Sequence, residues 1–490
     1  MSSSRGVGDF IFILWTQVLS KLRGFLLVPL MLRVMGPSEY GLWVELILAI
    51  SLVVGIAQAN LHTALLRYLP TLAQEEHADL FWTGSSLVLV GSVVASAGLY
   101  GLAPLLADAL RLPVWGLRLV AGVVIARSHM QYASNYFRAT ESPRIFAILD
   151  TLPLFTELIV VIVAVALGQG LRQMLTGMLV LEAAAALACL AAVAASLPLR
   201  RPTWGSLKRM VTYSLPSLPI SLSSSLLMSG DRYAIGAMLG AEAVGIYSAA
   251  YTLGSLPFFF VRPLTVTLLP RAAKLWDAGE HGEAGRMLRR NVKIYLLLAV
   301  PAAVGIAVLG PVVLPMMGGM PHPEWNAPLL LSIAVGTTLF GLLWLGLHVL
   351  HLEEKTGYGA GFYVFGAAVN LGLNFVLLPR FGLIGAGLAT ALAYGAVCVP
   401  IHLRARSLIG GLLDTRAAAG ICASAAIMGA AIGWFRPTTV PAIAGTVGLG
   451  LGVFSLAARM FKVLSHEEIG MVRQGFAGLS RRGLGGRGAG

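Results

Sequence analysis

Charge is scarce in this sequence of 490 residues: Asp, Glu, Lys and Arg together make up 12% of it, about half the roughly 25% of an ordinary soluble domain. Hydrophobic residues fill 57% of the chain and mean hydropathy is +0.81, which excludes a soluble globular protein. Cysteine is rarer still. Cys189, Cys398 and Cys422 each stand alone in an apolar run, with neither metal-ligand spacing nor a pairing pattern, so they read as small core residues. No metal site and no cofactor is expected. Of the charges present, acid is the rarer sign, with 22 Asp and Glu against 35 Lys and Arg, a net +13. In a soluble protein that balance suggests nucleic acid. In a membrane protein it marks cytoplasmic loops facing anionic headgroups, so nucleic acid is not an expected partner. Long polar stretches are missing too. A membrane-embedded ligase or polymerase would need a sizeable external loop with catalytic Arg or His, and every external connection is short, so no enzyme is expected.

What the chain has in abundance is apolar runs long enough to cross a bilayer, which takes about 20 residues each. They predict an all-α polytopic membrane protein of about fourteen transmembrane helices. The first six lie near 10–33, 42–65, 80–107, 114–138, 145–168 and 173–196. The next eight lie near 210–238, 243–269, 291–317, 326–350, 358–378, 383–403, 414–434 and 438–461. The organisation expected is a six-helix lobe over 1–200, a second over 201–406, two further helices within 407–462, and a polar, disordered tail over 463–490. Only Arg5 precedes the first run, and no cleavage site follows it, so that run reads as a retained helix. With the N-terminus inside, cytoplasmic segments hold 24 Lys and Arg and external ones 6. That bias puts both termini in the cytoplasm. Arginine far outnumbers lysine and Ala and Gly abound, as in a GC-rich bacterial genome, so the expected location is a bacterial inner membrane.

Two turns repeat. Gly36-Pro37-Ser38-Glu39-Tyr40-Gly41-Leu42-Trp43 aligns with Gly240-Ala241-Glu242-Ala243-Val244-Gly245-Ile246-Tyr247 at a spacing of 204 residues. Each occupies an external turn between the first and second helices of a six-helix set. Six intervening helices is an even number, so the two copies share orientation, a parallel repeat about the membrane normal. Glycines five apart suit a turn with unusual backbone angles followed by close helix packing. A weaker echo lies at Arg380-Phe381-Gly382-Leu383-Ile384-Gly385-Ala386.

These stretches also resemble a known family. Leu19-Ser20-Lys21, Val28-Pro29-Leu30 and the first glycine turn resemble the start of polysaccharide transporters of the oligosaccharide flippase type. So do Tyr213-Ser214-Leu215-Pro216, Asp231-Arg232-Tyr233-Ala234-Ile235-Gly236, and the run from Ala243 to Tyr251 closing at Leu269-Pro270. Asn370, Asn374, Pro379 and the segment from Gly382 to Thr390 fit the same pattern. Together they cover about a third of the chain. The resemblance implies the multidrug, oligosaccharidyl-lipid and polysaccharide exporter superfamily: two six-helix lobes in a V around a central cavity, alternating access, and in some members, lipid II flippases included, two extra C-terminal helices. It implies a lipid-linked, undecaprenyl-diphosphate type oligosaccharide as substrate, H+ or Na+ as a coupling ion, and other polysaccharide-assembly membrane proteins as partners beside the membrane lipids. It carries no catalytic motif, because such flippases make no bonds.

Ten charges fall inside spans away from their ends, where each costs about 2.5–3.5 kcal/mol. Lys21, Arg23, Arg127, Arg232 and Arg262 are positive; Glu45, Asp150, Glu157, Glu182 and Asp231 are negative. All lie in the first eight helices. A phosphate crossing the membrane needs cations on a water-filled cavity, and Lys21 and Arg127, near the centres of the first and fourth spans, are the first candidates. Arg232 and Arg262 follow, then Arg23. Lys21 and Arg23 are two apart, about 200° on a helix, so one of them must pair or pack elsewhere. The acids read as interior salt-bridge partners or, in a cation-coupled multidrug antiporter of the same fold, as the coupling site. Asn60, Asn370 and Asn374 read as interhelical hydrogen-bond donors and acceptors.

Overall fold

In a computed structural model the described residues are 3–318, 321–353, 356–435 and 437–463, with side chains described from residue 23 onward except at 143, 262, 266, 267, 269, 270, 351 and 356–360. The side chains of Lys21 and Arg262, and the tail from residue 464, lie outside them.

The helices are α1 (Ser3–Gln58), α2 (Leu61–Tyr68), α3 (Gln74–Leu110), α4 (Val114–Ala139), α5 (Pro143–Ala166), α6 (Leu171–Ser196), α7 (Trp204–Ser214) and α8 (Leu218–Leu239). There follow α9 (Ala241–Gly254), α10 (Leu256–Phe259), α11 (Val261–Asp277), α12 (His281–Gly318), α13 (Ala327–Leu352), α14 (Thr356–Ile409), α15 (Thr415–Gly433) and α16 (Val440–Met460). Among the described residues there is no strand. Nine helices among the described residues are long and apolar enough to cross a membrane, so the chain is an all-α, multi-pass membrane protein.

Nine falls short of fourteen for two physical reasons. Two of the nine are double: α1 breaks at Gly36 and α14 at Gly382, where the backbone leaves the helical region. Other legs are diluted by polar residues: α4 carries Arg127, His129 and Gln131, and α8 carries five serines and Asp231-Arg232. Each of those breaks makes two legs of one helix, and α9 with Leu256–Thr265 forms a bent pair that is long and apolar enough to cross as one further span.

The repeat is visible in the backbone. Gly36 has φ 82° and ψ 172°, and Gly240 has φ 88° and ψ 175°, angles that only glycine adopts without strain. Five residues on, each copy presents its second glycine to the other. A Cβ at Gly41 would overlap the carbonyl oxygen of Ala241, and a Cβ at Gly245 would overlap that of Pro37. Ala241 stands in the second copy where Pro37 stands in the first, so the contact is reciprocal. Tyr233 adds a bond between the copies, its hydroxyl donating to the Leu48 carbonyl at 2.8 Å.

Two compact units emerge from the packing: residues 1–252, 314–325 and 355–397 form one, and the rest form the other. The first has a buried cluster that joins α2, α3, α4, α6 and α7 through Leu65, Phe81, Tyr132, Cys189 and Met210. The second has a cluster around Tyr295, Val349, Ile409, Ile421 and Phe454. In it α15 and α16 are seated: Gly429 meets Val304, and Gly450 meets Met428.

Candidate functional site

Four of the ten intramembrane charges are brought together in the first unit, each from a different leg. Arg127 of α4 grips Glu182 of α6 with two bonds, Nε to Oε2 at 2.9 Å and Nη2 to Oε1. Its Nη2 lies 3.4 Å from Oε1 of Glu157 on α5, and the other oxygen of Glu157 accepts from Arg23 on α1. Arg127, Glu157 and Glu182 are all buried. Two cations and two anions make the chain formally neutral, which lets four charges sit among apolar helices. The geometry also uses one edge of the Arg127 guanidinium only. Its Nη1 makes no hydrogen bond among the described residues.

Arg127 also lines a polar cavity of about 190 Å³, together with Ser51, Val54, Gly55, Gln58, Asn60, His62 and Gln131. Ser51, Gly55 and Gln58 follow one face of the second leg of α1, and Arg127 and Gln131 are one turn apart on α4. The cavity's amides are oriented: Gln58 Nε2 donates to the Ser128 carbonyl at 3.2 Å and to Gln131 Oε1 at 3.0 Å. Asn60 has left-handed backbone at the break before α2, and its Nδ2 donates to Ser217 O, Ser217 Oγ and Ser221 Oγ at 3.0, 3.0 and 2.7 Å. His62 Nδ1 is buried with no hydrogen-bond partner. An arginine, three amides, a hydroxyl and an imidazole around one cavity offer both cationic and neutral hydrogen-bonding chemistry to an anion or a sugar.

The second pair of charges is separate. Asp231 and Arg232 adjoin on α8, with Asp231 Oδ2 accepting from the buried Tyr247 hydroxyl at 2.7 Å. The Arg232 guanidinium lies 3.9 Å from the centre of the Tyr251 ring, a cation–π contact, and 3.9 Å from Asp231 Oδ1. Nearby, Asn370 Oδ1 faces Gly230. Asn370 donates to Thr390 Oγ1 at 3.1 Å, and Asn374 donates to Asn370 O and Oδ1 at 2.9 and 3.2 Å.

Glu45 stands alone. It is 6% exposed, its Oε2 has no hydrogen-bond partner, and its Oε1 occupies the space a Cβ at Gly236 would need. Asp150 is partnered. Among the described residues no group of His, Cys, Asp and Glu could hold a metal ion. Sequence reasoning missed Gln58, Gln131 and His62 as cavity residues. The one legible sign was Gln131 a helical turn after Arg127.

Described residues that are helical where they have regular structure, with many helices long enough to cross a membrane and a buried charge network whose Arg127 lines a polar cavity, define a multi-pass membrane protein. The chain belongs to the polysaccharide biosynthesis protein family, whose model matches residues 30–325. A probable low-salt glycan biosynthesis flippase, Agl15 of Haloferax volcanii, is 24% identical over 265 residues, 53% of this chain and 54% of that one. A probable flippase of the same organism, AglR, is 28% identical over 167 residues, 33% and 34% of the two chains. The chain thus spans about half the length of the first and a third of the second. Among solved structures, lipid II flippase MurJ in an inward closed conformation superposes with a TM-score of 0.78 at 13% identity, covering 92% of this chain and 98% of that one. At that identity the likeness is one of fold.

Proposed function

We propose that this protein is a flippase that carries a lipid-linked, undecaprenyl-diphosphate type oligosaccharide from the cytoplasmic to the periplasmic leaflet of a bacterial inner membrane for surface polysaccharide synthesis. In this reading residues 1–200 and 201–406 are the lobes of an alternating-access carrier, 407–462 two added helices and 463–490 a cytoplasmic tail, with both termini cytoplasmic. The observation that carries it is Arg127. Its guanidinium is held on one edge by Glu182 and Glu157 with Nη1 unspent, and the residue lines a polar cavity. An arginine so oriented is preorganised for a phosphate oxygen, while the amides of Gln58, Asn60 and Gln131 offer hydrogen bonds to sugar hydroxyls. Since the acids neutralise Arg23 and Arg127 and Asp231 adjoins Arg232, the surplus positive charge for a diphosphate comes from Lys21 on the same leg as Arg23. Family membership and the names of the relatives support the same reading.

The second reading is a cation-coupled multidrug or small-molecule antiporter of the same fold, with H+ or Na+ as the driving ion. Glu45 favours it, since a buried carboxylate with no cation partner has no structural reason to be there. Lipid II is separated from the favoured cargo by substrate alone. Transport of a fluorescent undecaprenyl-diphosphate oligosaccharide in proteoliposomes tests the proposal. Translocation by wild type that collapses in Lys21→Ala and Arg127→Ala, both still folded, is the expected result. Cation-driven dye efflux without any lipid-linked sugar transport sinks it.

A further inference from the structure

A second cavity lies at the edge of the same unit and takes no part in the reading above. It is an open cleft of about 430 Å³ between α2 and α7, lined by Tyr68, Gly205, Lys208, Arg209, Thr212 and Tyr213. The cleft is built. Helix α7 starts on a Thr203 cap that accepts from Ser206 N, and the strand of chain before it is tied to α3 by Thr203 N to Thr83 Oγ1 at 3.1 Å and Trp82 Nε1 to Pro198 O at 3.0 Å. Met210 and Ser214 turn inward and are fully buried, which leaves Lys208 and Arg209 outward. The Arg209 guanidinium sits 5.6 Å from the Tyr68 ring centre, and Tyr68 meets Tyr213 edge-on at 5.4 Å. Gly205 lines the cleft, and a Cβ there would meet nothing within 4 Å.

Its charge is of one sign. No acid occurs between Glu182 and Asp231, or between Glu45 and Glu75. Among the described residues neither Lys208 nor Arg209 forms an ion pair, and Glu75 and Glu76 at the start of α3 pair with neither. Arg200 and Arg201 are exposed just ahead of the cleft. Its surroundings are apolar and uncovered: Trp204 is 76% exposed and Leu199 74%. Position explains the combination. Helix α2 follows the apolar leg that ends at Gln58 and α7 precedes the leg that begins at Leu218, and Asn60 bonds the two junctions together. The cleft therefore lies where apolar helices meet the headgroup layer, the level at which Trp and Tyr anchor and Lys and Arg meet phosphate.

We propose that this cleft binds the phosphate of an anionic membrane lipid headgroup, with Lys208 and Arg209 on the phosphate, the Tyr68–Tyr213 edge beneath it, and Trp204 beside the acyl chains. A free phosphate ion would use the cations but has no use for the exposed tryptophan and leucine. The site is independent of transport, and its failure leaves the proposed function untouched.

The test is lipid retention by the full-length protein in native mass spectrometry, from detergent micelles holding phosphatidylglycerol and phosphatidylcholine in equal amounts. Wild type is expected to retain phosphatidylglycerol preferentially. With about 1 kcal/mol per basic residue, the double variant K208Q/R209Q should bind it about 30-fold more weakly. Gly205→Leu, which fills the cleft and keeps both charges, should lose the preference too and serves if the double variant does not fold. Arg286→Gln, an exposed cation paired with Glu283 elsewhere, should change nothing. Equal retention by wild type and K208Q/R209Q overturns the proposal. So does displacement of phosphatidylglycerol by inorganic phosphate at equal concentration, which would make the site one for a free anion.

Discussion

Replacing Glu182 by Leu should unfold this protein more readily than its single lost carboxylate suggests, and a second substitution should reverse the damage. Glu182 is fully buried and takes two hydrogen bonds from Arg127. Without it, Arg127 keeps one charged partner, Glu157 at 3.4 Å, an acid already engaged by Arg23, and a weak 3.8 Å contact to the Met178 sulfur. Breaking a buried pair on one side costs about 3–5 kcal/mol, because the remaining charge stays desolvated and unpaired. Removing both partners is a different matter. Arg127→Met with Glu182→Leu leaves Arg23 and Glu157 as a balanced pair and fills the space with apolar atoms, a replacement that is often neutral or better. Urea or thermal denaturation in one detergent should therefore place the double variant near wild type and Glu182→Leu well below both. Transport separates the roles of the same arginine. If Arg127 reads the phosphate, the double variant is stable and inactive. A Glu182→Leu protein as stable as wild type would refute the buried network, and full transport by the double variant would refute the role of Arg127 in binding.

Two further outcomes follow from the geometry. Gly245→Ala forces a methyl into the Pro37 carbonyl, and backbone cannot give way as a side chain can, so a loss of about 1–3 kcal/mol is expected. Gly41→Ala should match it within error, because the contact is reciprocal; a tenfold difference between the two in unfolding equilibrium would contradict the repeat. Tyr247→Phe deprives Asp231 of a 2.7 Å bond, and a hydrogen bond to a buried charged group is worth about 1.5–3 kcal/mol. No change in denaturation midpoint would mean that the carboxylate finds another donor.

Much of this architecture was legible because the bilayer makes it so. Apolar runs of bilayer length leave one solution, helices, and polar residues inside them stand out against a uniform background. Arg127, Glu157 and Glu182 could be picked as interior charges on that ground alone. Their partners could not, since Glu157 and Glu182 are equally placed in sequence to meet Arg23, Arg127 or Arg232, and only the helix packing selects. The turn glycines were legible by period, and their matching angles show why two positions 204 residues apart keep the same residue type. The cavity amides were hidden. Gln58 and Gln131 sit near the ends of spans, where neutral polar residues are common and carry no signal of their own. The cleft beside α7 was hidden for the opposite reason: Lys208 and Arg209 look like any basic loop until Tyr68, 140 residues earlier in the chain for Lys208, is placed against them.

The contact at Gly41 and Gly245 has an ancestry written into it. Each copy gives the other a bare glycine and receives a carbonyl in return, the arrangement two identical chains make around a twofold axis. A single chain of half this length could have met a second copy of itself through that surface before any fusion joined them. Fusing two such chains would leave that interface in place, with each copy still supplying the surface the other packs on.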